Sequence, residues 1–247
     1  MKEIKISGKT VVCGIIGDPI EHTMSPAMHN AIYKAMGLDF IYVPFQVKST
    51  ELEKAINGMK ALNIRGLNVT IPHKVTVLPF LDRLDNLAGK IGAVNTIVND
   101  NGVLTGYNTD AQGFLKALVE RDIRPAGKNV LLLGAGGAAR AIGYILAEEG
   151  ARLTILNRKE ELSWAKELAD CLSENYPFKV SAREMTFENL QKAISTTEIL
   201  INATSVGMRP NINQSPVPAD LLCARLVVFD IVYNPFQTRL LREAKEA

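Results

Sequence analysis

The chain has 247 residues, of which 47% are hydrophobic and 22% charged, a composition typical of a globular protein with one large domain or two modest ones. Its 28 basic and 26 acidic residues nearly balance, and there is no run of like charges, so its charge does not indicate a nucleic-acid binder. The apolar stretches are too short to span a bilayer, and the first residues, MKEIKISGKT, lack the apolar core of a signal peptide. Three widely separated cysteines fit a reducing compartment, so we expect a cytoplasmic protein.

The first half of the chain alternates short apolar runs with helical patterns. The runs VVCGIIG, FIYVPFQV and RGLNVT predict strands, and ELEKAINGMKAL predicts a helix. Another helix is predicted from Ser25, as the N-cap with Pro26 at the first helical position, to about Gly37. The stretch AVNTIVNDNGVLTGYN predicts a β-hairpin, because two strand-like runs are joined by Asn101-Gly102.

The second half alternates more regularly, after a predicted helix in TDAQGFLKALVERD. Strands are predicted in NVLLLG, RLTILN, EILINAT and RLVVFDIVY, with helices in AARAIGYILAEE and EELSWAKELADCLSE. Near-continuous apolar strands separated by helices are typical of a parallel sheet covered on both faces. We therefore predict two α/β domains: residues 1–105, with a mainly parallel mixed sheet and with 235–247 as a returning helix, and residues 106–234, a doubly wound Rossmann-type domain.

A glycine-rich turn in LLLGAGGAAR lies between a predicted strand and a predicted helix. Gly134, Gly136 and Ala139 form the pattern G-x-G-x-x-A. The first glycine permits a tight turn, the second lets the backbone approach a pyrophosphate, and a small third residue lets helix and strand pack closely. The pattern in this context predicts a dinucleotide site.

The end of the next strand indicates which dinucleotide is bound. An NAD enzyme usually has an acidic residue there to bind the ribose hydroxyls, whereas this strand ends in Asn157, Arg158 and Lys159. Two cations without a carboxylate suit a ribose 2′-phosphate and favour NADP, although Glu160 and Glu161 follow directly and a solvated basic turn is the structural alternative.

Polar residues follow several predicted strands of the first half. Ser25 follows the first strand, Thr70 and Lys74 follow the strand RGLNVT, Asn95 precedes the hairpin and Asp110 follows it. Ligands of open α/β sheets bind beyond the carboxyl ends of strands. Each residue also has a structural explanation as a helix cap, a turn residue or a solvated charge, but together they supply a cation, a carboxylate and neutral hydrogen-bonding groups.

That set of groups suits hydride transfer to a ketone, because negative charge develops on the carbonyl oxygen and a nearby acid must neutralise it. A lysine in a water-poor cleft can be this acid, since burial lowers its pKa toward neutrality while an adjacent aspartate limits the change. His22, His29 and His73 are not spaced as a ligand set, so no metal site is expected.

Taken together and in order, the motifs HTMSPAMHN, NVTIPHK, GAVNT, NTDAQGF, GAGGAAR, NATSVGM and DIVYNPFQT resemble those of the shikimate dehydrogenase family over nearly the whole chain. The resemblance implies an N-terminal substrate domain, a C-terminal NADP domain and an active site in the cleft between them. It also implies reversible reduction of 3-dehydroshikimate to shikimate by NADPH, a step toward chorismate and the aromatic amino acids.

The resemblance also assigns roles to individual residues. Lys74 is implied as the acid–base residue with Asp110 as its partner. The implied substrate-binding residues are Thr23 and Ser25 for the carboxylate, Thr70 and Asn95 for ring hydroxyls, and Tyr233. The implied cofactor-binding residues are Gly134, Ala135, Gly136, Gly137, Ala138, Ala139, Asn157, Arg158, Lys159, Thr204, Ser205, Val206 and Met208.

The sequence departs from the family pattern in three places. Thr23 stands where serine is usual, and its extra methyl group is expected to retune substrate choice. Lys159 replaces the threonine common after Asn-Arg in the NADP-specific branch. The chain ends in LLREAKEA, whereas family members continue to a substrate-contacting glutamine and a helix that packs on the first domain, so reduced turnover is expected.

Three alternatives to this function stay open at this point. One is a quinate/shikimate dehydrogenase that uses NAD or NADP. A second is a catalytically weak homologue that senses NADP or shikimate, and a third is an NADP oxidoreductase acting on aminoshikimate. In each case we expect a small-molecule substrate and a monomer or homodimer, without nucleic-acid or membrane partners.

Overall fold

The computed structural model describes residues 6–247, which divide into two compact units. The first unit ends at Thr109, and the second runs from Asp110 to Ala247. The division therefore falls slightly after the predicted boundary at residue 105. No helix among the described residues is long and apolar enough to cross a membrane.

The first unit is a mixed sheet with helices between its strands. Its strands and α-helices in chain order are β1 (Val11–Gly17), α1 (Ser25–Met36), β2 (Phe40–Gln46), α2 (Leu52–Ala61), β3 (Gly66–Val69), α3 (His73–Thr76), β4 (Arg83–Leu84), α4 (Asn86–Ile91), β5 (Thr96–Asp100) and β6 (Val103–Tyr107). The sheet order is β2-β1-β3-β5-β6-β4. The pairs β1–β2, β1–β3 and β4–β6 are parallel, whereas β5 is antiparallel to both of its neighbours, which confirms a mainly parallel mixed sheet.

The predicted hairpin is confirmed. Strands β5 and β6 pair antiparallel around Asn101 and Gly102, whose φ angles of 53° and 89° lie in the left-handed region that a two-residue hairpin turn requires. The amide of Gly102 also donates to the Asn99 side chain at 2.8 Å, which fixes the turn.

Helix α1 begins and ends close to the prediction, but its cap differs. Ser25 is the first helical residue and Met24 the N-cap, without a side-chain capping bond, so Ser25 was wrongly predicted as the cap. The helix ends at Gly37, whose φ of 67° gives the left-handed conformation expected of a terminating glycine. The Ser25 hydroxyl is consequently not used to cap the helix.

The second unit is a parallel sheet of Rossmann type. Its elements in chain order are α5 (Asp110–Val119), β7 (Asn129–Leu133), α6 (Gly137–Glu148), β8 (Arg152–Asn157), α7 (Leu162–Asn175), β9 (Ser181–Glu184), α8 (Phe187–Ile194), β10 (Ile199–Asn202), β11 (Val227–Asp230) and α9 (Arg239–Glu246). The strand order is β11-β10-β7-β8-β9, with every pair parallel. The chain thus winds away from β7 in both directions, which places a topological switch point between β7 and β10.

Helix α9 lies within the segment that we expected to return to the first domain. Its Leu240 is 1% exposed and belongs to the core of the second unit, with Leu131 and Leu200 of the sheet. The structure therefore groups this helix with the second unit, because its apolar face is buried on that core.

Candidate functional site

One edge of the first sheet collects the polar residues singled out in the first half of the chain. Strands β1, β2 and β3 are parallel, so their carboxyl ends share this edge. Because β5 is antiparallel to β3 and to β6, the start of β5 and the end of β6 lie there as well. Thr70 follows β3 directly and Asn95 precedes β5, so the fold brings these two predicted residues to the same edge.

Asn95 joins the two ends of the hairpin at this edge. Its side-chain Nδ2 donates to Thr109 Oγ1 at 2.8 Å, and its Oδ1 accepts from the Thr109 amide at 3.0 Å. The Thr96 hydroxyl also donates to Asn95 Oδ1 at 3.0 Å. With only 8% of its surface exposed, the Asn95 amide is oriented by the protein itself.

Backbone hydrogen bonds fix the position of the main chain at Lys74. Its carbonyl accepts from the Val94 amide at 2.7 Å, next to Asn95, and the preceding His73 amide donates to the Thr70 carbonyl at 2.9 Å. His73 is fully buried, with its Nε2 2.6 Å from the Val47 carbonyl oxygen. The short helix α3 is therefore anchored on both sides of the half-buried Lys74.

Thr23 and Ser25 form a small pair of hydroxyls between β1 and α1. Thr23 Oγ1 donates to Ser25 Oγ at 3.2 Å, and the Ser25 amide lies 3.3 Å from Thr23 Oγ1. Both residues are half-buried, and the structure brings their hydroxyls together as an anion-binding role would need.

Two predicted site residues, the catalytic Asp110 and the substrate-binding Tyr233, belong to the second unit. Asp110 is the first residue of α5, directly after Thr109 in the chain, and it is half-buried. Tyr233 lies beyond β11 and is 58% exposed. The predicted residues of the first unit are thus Thr23, Ser25, Thr70, Lys74 and Asn95, all at its polar sheet edge.

Three hydrogen-bonded residues near this edge, Tyr42, Asn68 and Thr96, were not predicted from the sequence. The Tyr42 hydroxyl donates to Asn68 Oδ1 at 2.6 Å, and Asn68 Nδ2 donates to Thr96 Oγ1 at 3.1 Å. Asn68 and Thr96 are register partners on β3 and β5. The available signal was an asparagine inside a strand, since such a group is buried only with hydrogen-bond partners.

The glycine turn of the second unit follows β7, at the switch point. Gly134 has a φ of 101°, and a Cβ added there would lie 3.0 Å from the Ala203 carbonyl oxygen, so this position requires glycine on both counts. A Cβ added to Gly136 would meet nothing within 4 Å, which leaves open space beside the turn. Ala139 is fully buried, as close packing of helix on strand demands.

The turn fits the phosphates of a dinucleotide. Helix α6 starts at Gly137, with Gly136 as an N-cap that has no side-chain capping bond. The first N–H groups of a helix lack acceptors within it and carry the positive end of its dipole. Residues 134–139 therefore offer backbone donors, and the open space at Gly136 lets an anion reach them.

The basic turn after β8 is built around Glu161. Asn157 is 4% exposed and its Nδ2 donates to the Glu161 carbonyl at 2.8 Å. The Arg158 guanidinium donates through Nη2 to the Glu161 carboxylate, which raises the pKa of Arg158. Lys159 is exposed at the start of the following turn. Arg158 and Lys159 thus lie as predicted beyond the strand, but Arg158 is bound to a carboxylate.

The loop from Thr204 to Met208 is fixed by Asn202, the last residue of β10. The Thr204 amide and hydroxyl both donate to Asn202 Oδ1, at 3.0 and 2.7 Å. Asn202 is fully buried and its Nδ2 donates to the Val206 carbonyl at 3.2 Å. The predicted cofactor residues of this loop (Thr204, Ser205, Val206 and Met208) follow directly from this anchor.

Asp230 completes the anchor and was also missed from the sequence. It is the register partner of Asn202 on β11 and accepts from Asn202 Nδ2 at 3.0 Å. It also accepts from the Val232 amide at 3.0 Å and from the Thr238 hydroxyl at 2.7 Å. Burial raises the pKa of Asp230, and these three donors oppose that rise. One carboxylate therefore connects the loop after β10, the segment after β11 and the start of α9.

Comparison with protein families gives two matches along the chain. The model described as the shikimate dehydrogenase substrate binding domain matches residues 15–97. The model described as shikimate / quinate 5-dehydrogenase matches residues 117–233. The first match covers the polar sheet edge, and the second covers the glycine turn and the loops after β8 and β10.

Individual proteins match over nearly the whole chain. The NADP(+) shikimate dehydrogenase of Methanothermobacter thermautotrophicus is 48% identical over 98% of this chain and 84% of its own length. The crystal structure of shikimate 5-dehydrogenase from Listeria monocytogenes in complex with shikimate and NAD superposes with a TM-score of 0.85, at 40% identity over 100% of this chain and 86% of that one. That of the Thermus thermophilus enzyme in complex with NADP(H) and shikimate gives a TM-score of 0.80, at 35% identity over 96% and 84%.

Proposed function

The chain belongs to the shikimate dehydrogenase family, and we propose that it interconverts 3-dehydroshikimate and shikimate with NADP as the cofactor. The observation that carries this proposal is the polar edge of the first sheet. There, the fold gathers a lysine, a buried amide and three hydroxyl side chains from segments far apart in the sequence.

We propose that Lys74 moves the proton. In the direction of reduction, its ammonium group gives a proton to the carbonyl oxygen of the substrate while hydride adds to the carbonyl carbon, and the C=O bond becomes a CH–OH group. Reduced nicotinamide supplies that hydride when bound. In the reverse direction, neutral Lys74 takes the hydroxyl proton as hydride leaves, so the same amine acts as acid and as base.

Asp110 is proposed to stabilise the ammonium form of Lys74. Asp110 follows Thr109 directly. The backbone amide and the hydroxyl of Thr109 are both hydrogen-bonded to the Asn95 side chain, so the chain just before Asp110 is fixed to the sheet edge. A carboxylate placed in this way favours the charged form of a lysine that the site desolvates.

The remaining polar residues are proposed to orient the substrate. The Thr23 and Ser25 hydroxyls, held 3.2 Å apart, suit the substrate carboxylate, and Thr70 and Asn95 suit ring hydroxyls. Tyr233 is proposed as a further substrate contact. Hydrogen-bonding groups in fixed positions hold the substrate so that its reacting carbon stays in one orientation. Groups remote from the reacting carbon contribute to catalysis mainly in this way.

In the second unit, residues 134–139 are proposed to bind the pyrophosphate, Asn157, Arg158 and Lys159 the adenosine 2′-phosphate, and Thr204–Met208 the nicotinamide end. Gly136 supports the first assignment, because nothing lies within 4 Å of the position its Cβ would take. The two cations beyond β8 support the second, since guanidinium and ammonium groups bind phosphate with charge-assisted hydrogen bonds.

The proposal is tested by following nicotinamide absorbance with shikimate or quinate against NADP or NAD, in all four pairings. We expect the highest kcat/KM with shikimate and NADP. A higher value with quinate would contradict the proposed substrate and favour the quinate dehydrogenase alternative. A higher value with NAD would contradict the proposed role of Arg158 and Lys159. NADP binding without turnover in any pairing would favour a sensor.

A further inference from the structure

The turn beyond β8 contains an acidic residue that the proposed cofactor site does not use. Glu161 binds Arg158 through its carboxylate, and the Arg158 side chain is 65% exposed whereas that of Glu161 is 23% exposed. The cation proposed to recognise the 2′-phosphate is thus already bound to an anion of the same chain.

The same carboxylate disfavours a phosphate beside Arg158. A ribose 2′-phosphate carries between one and two negative charges at neutral pH, as phosphate monoesters do. When it reaches Arg158, it either displaces Glu161 or is held next to it. If the phosphate displaces Glu161, the Arg158–Glu161 ion pair is lost. If both anions stay at Arg158, they repel each other at close range. Either route weakens phosphate binding.

We propose that Glu161 is a specificity-determining residue, which competes with the cofactor 2′-phosphate for Arg158 and so lowers the preference for NADP over NAD. This inference rests on the proposed function, because it concerns the strength of the same preference. Among the described residues, Glu161 forms an ion pair with Arg158 but not with Lys159. Lys159 is therefore the cation that can bind the 2′-phosphate without competition from an ion pair to Glu161.

The backbone of Glu161 has a separate structural role. Its carbonyl accepts from Asn157 Nδ2 at 2.8 Å, and its amide donates to the Arg158 carbonyl at 3.1 Å. Both bonds survive a change of side chain. Glu161→Gln keeps the size of the side chain and an oxygen that accepts from Arg158, so it removes the charge and leaves the turn intact.

The test measures binding, not turnover. The probes are 2′,5′-ADP, which carries the 2′-phosphate, and 5′-ADP, which does not. Calorimetry gives both dissociation constants, and the fluorescence of Trp164, the only tryptophan in the chain, gives a second readout because it lies near Glu161 at the start of α7. For Glu161→Gln we expect 2′,5′-ADP to bind about 2- to 5-fold more tightly, as for the loss of one exposed charge interaction, with 5′-ADP unchanged.

Glu160→Gln is the matched control, because it removes the same charge from the adjacent residue, which makes no hydrogen bond to Arg158 in the structure. We expect less than a twofold change from it. Equal gains from both variants would overturn the inference in favour of net charge alone. Unchanged or weaker 2′,5′-ADP binding by Glu161→Gln would also overturn it, and weaker binding would show that Glu161 positions Arg158.

The wild-type protein separates this inference from the proposed function. If it binds 2′,5′-ADP no better than 5′-ADP, the proposed preference for NADP is contradicted. A gain on Glu161→Gln would even then support the competition between Glu161 and phosphate. If the wild-type prefers 2′,5′-ADP and the variant does not increase that preference, only the inference is contradicted.

Discussion

The two units position their functional groups in different ways. At the edge of the first sheet, the proposed substrate groups are side chains held by other side chains, as Asn95 is held by Thr109 and Ser25 by Thr23. In the second unit, the proposed phosphate site is backbone, shaped by Gly134 and Gly136 at the start of α6. The first site therefore depends on residue identity and the second on backbone conformation.

This difference predicts different responses to mutation. Losing one hydrogen-bonding side chain at the first-unit edge should impair substrate binding while the sheet persists. A single added methyl group should be enough to disturb the glycine turn, and its effect should depend on which glycine receives it.

The largest expected effect on stability is that of Gly134→Ala. Its φ of 101° is unfavourable for alanine, and the new Cβ would lie 3.0 Å from the carbonyl oxygen of Ala203, the residue that follows β10. Both terms destabilise the fold, by about 2–4 kcal/mol in the free energy of unfolding, measured by urea denaturation.

Gly136→Ala is the matched control for Gly134→Ala. Its φ of −73° is ordinary, and its added Cβ meets nothing within 4 Å. We expect the free energy of unfolding to change by less than about 0.5 kcal/mol, with NADP binding weakened because the methyl group occupies the space proposed for the pyrophosphate. Equal destabilisation by the two variants would contradict the structural account of the turn.

Asn95→Ala should have the next largest effect. It leaves the exposed Thr109 amide and hydroxyl without their bonds to Asn95, at a cost of about 0.5–1.5 kcal/mol in the free energy of unfolding. The KM for shikimate should rise as well, because the proposed contact to a ring hydroxyl is lost. Thr109→Ser keeps the hydroxyl and should change both quantities little. An unchanged KM in Asn95→Ala would remove this residue from the proposed substrate site.

The smallest effect is expected from Asp230→Asn, and it depends on pH. Burial raises the pKa of Asp230 above 3.8, so its contribution to stability is present at lower pH and is lost as the pH rises through the raised value. Asparagine does not titrate, and its amide can still accept from Asn202 and bond to Thr238. The variant should therefore gain stability relative to the wild-type as the pH rises from 3.8, measured by thermal unfolding across pH. A relative loss over the same range would contradict the raised pKa.

Most of the fold could be predicted from local sequence patterns. The Asn101-Gly102 hairpin, the strand before GAGGAAR and the helix ending at Gly37 each carry a signal within a few residues, and each is confirmed. The short strand β9, with the sequence SARE, has no apolar run and was not predicted. Its extended conformation comes from pairing with β8, which its own sequence does not indicate.

The hydrogen-bonded supports of the site could not be predicted in this way. Asn202 and Asp230 meet because they are register partners on parallel strands, and Asn68 meets Thr96 for the same reason on β3 and β5. Register is set by the whole sheet, so neither sequence segment alone contains the pairing. The bond between Arg158 and Glu161 is local, but the sequence does not show which of the two glutamates makes it.

The central claim is that Lys74 transfers the proton, and Lys74→Met tests it most directly. Methionine keeps much of the length of the side chain but can neither donate nor accept that proton. We predict that kcat for shikimate oxidation by NADP falls by about 10²–10⁴, the usual contribution of general acid–base catalysis, while calorimetry shows shikimate still bound within about tenfold of the wild-type affinity. A kcat within tenfold of the wild-type value, with shikimate bound, would contradict the claim.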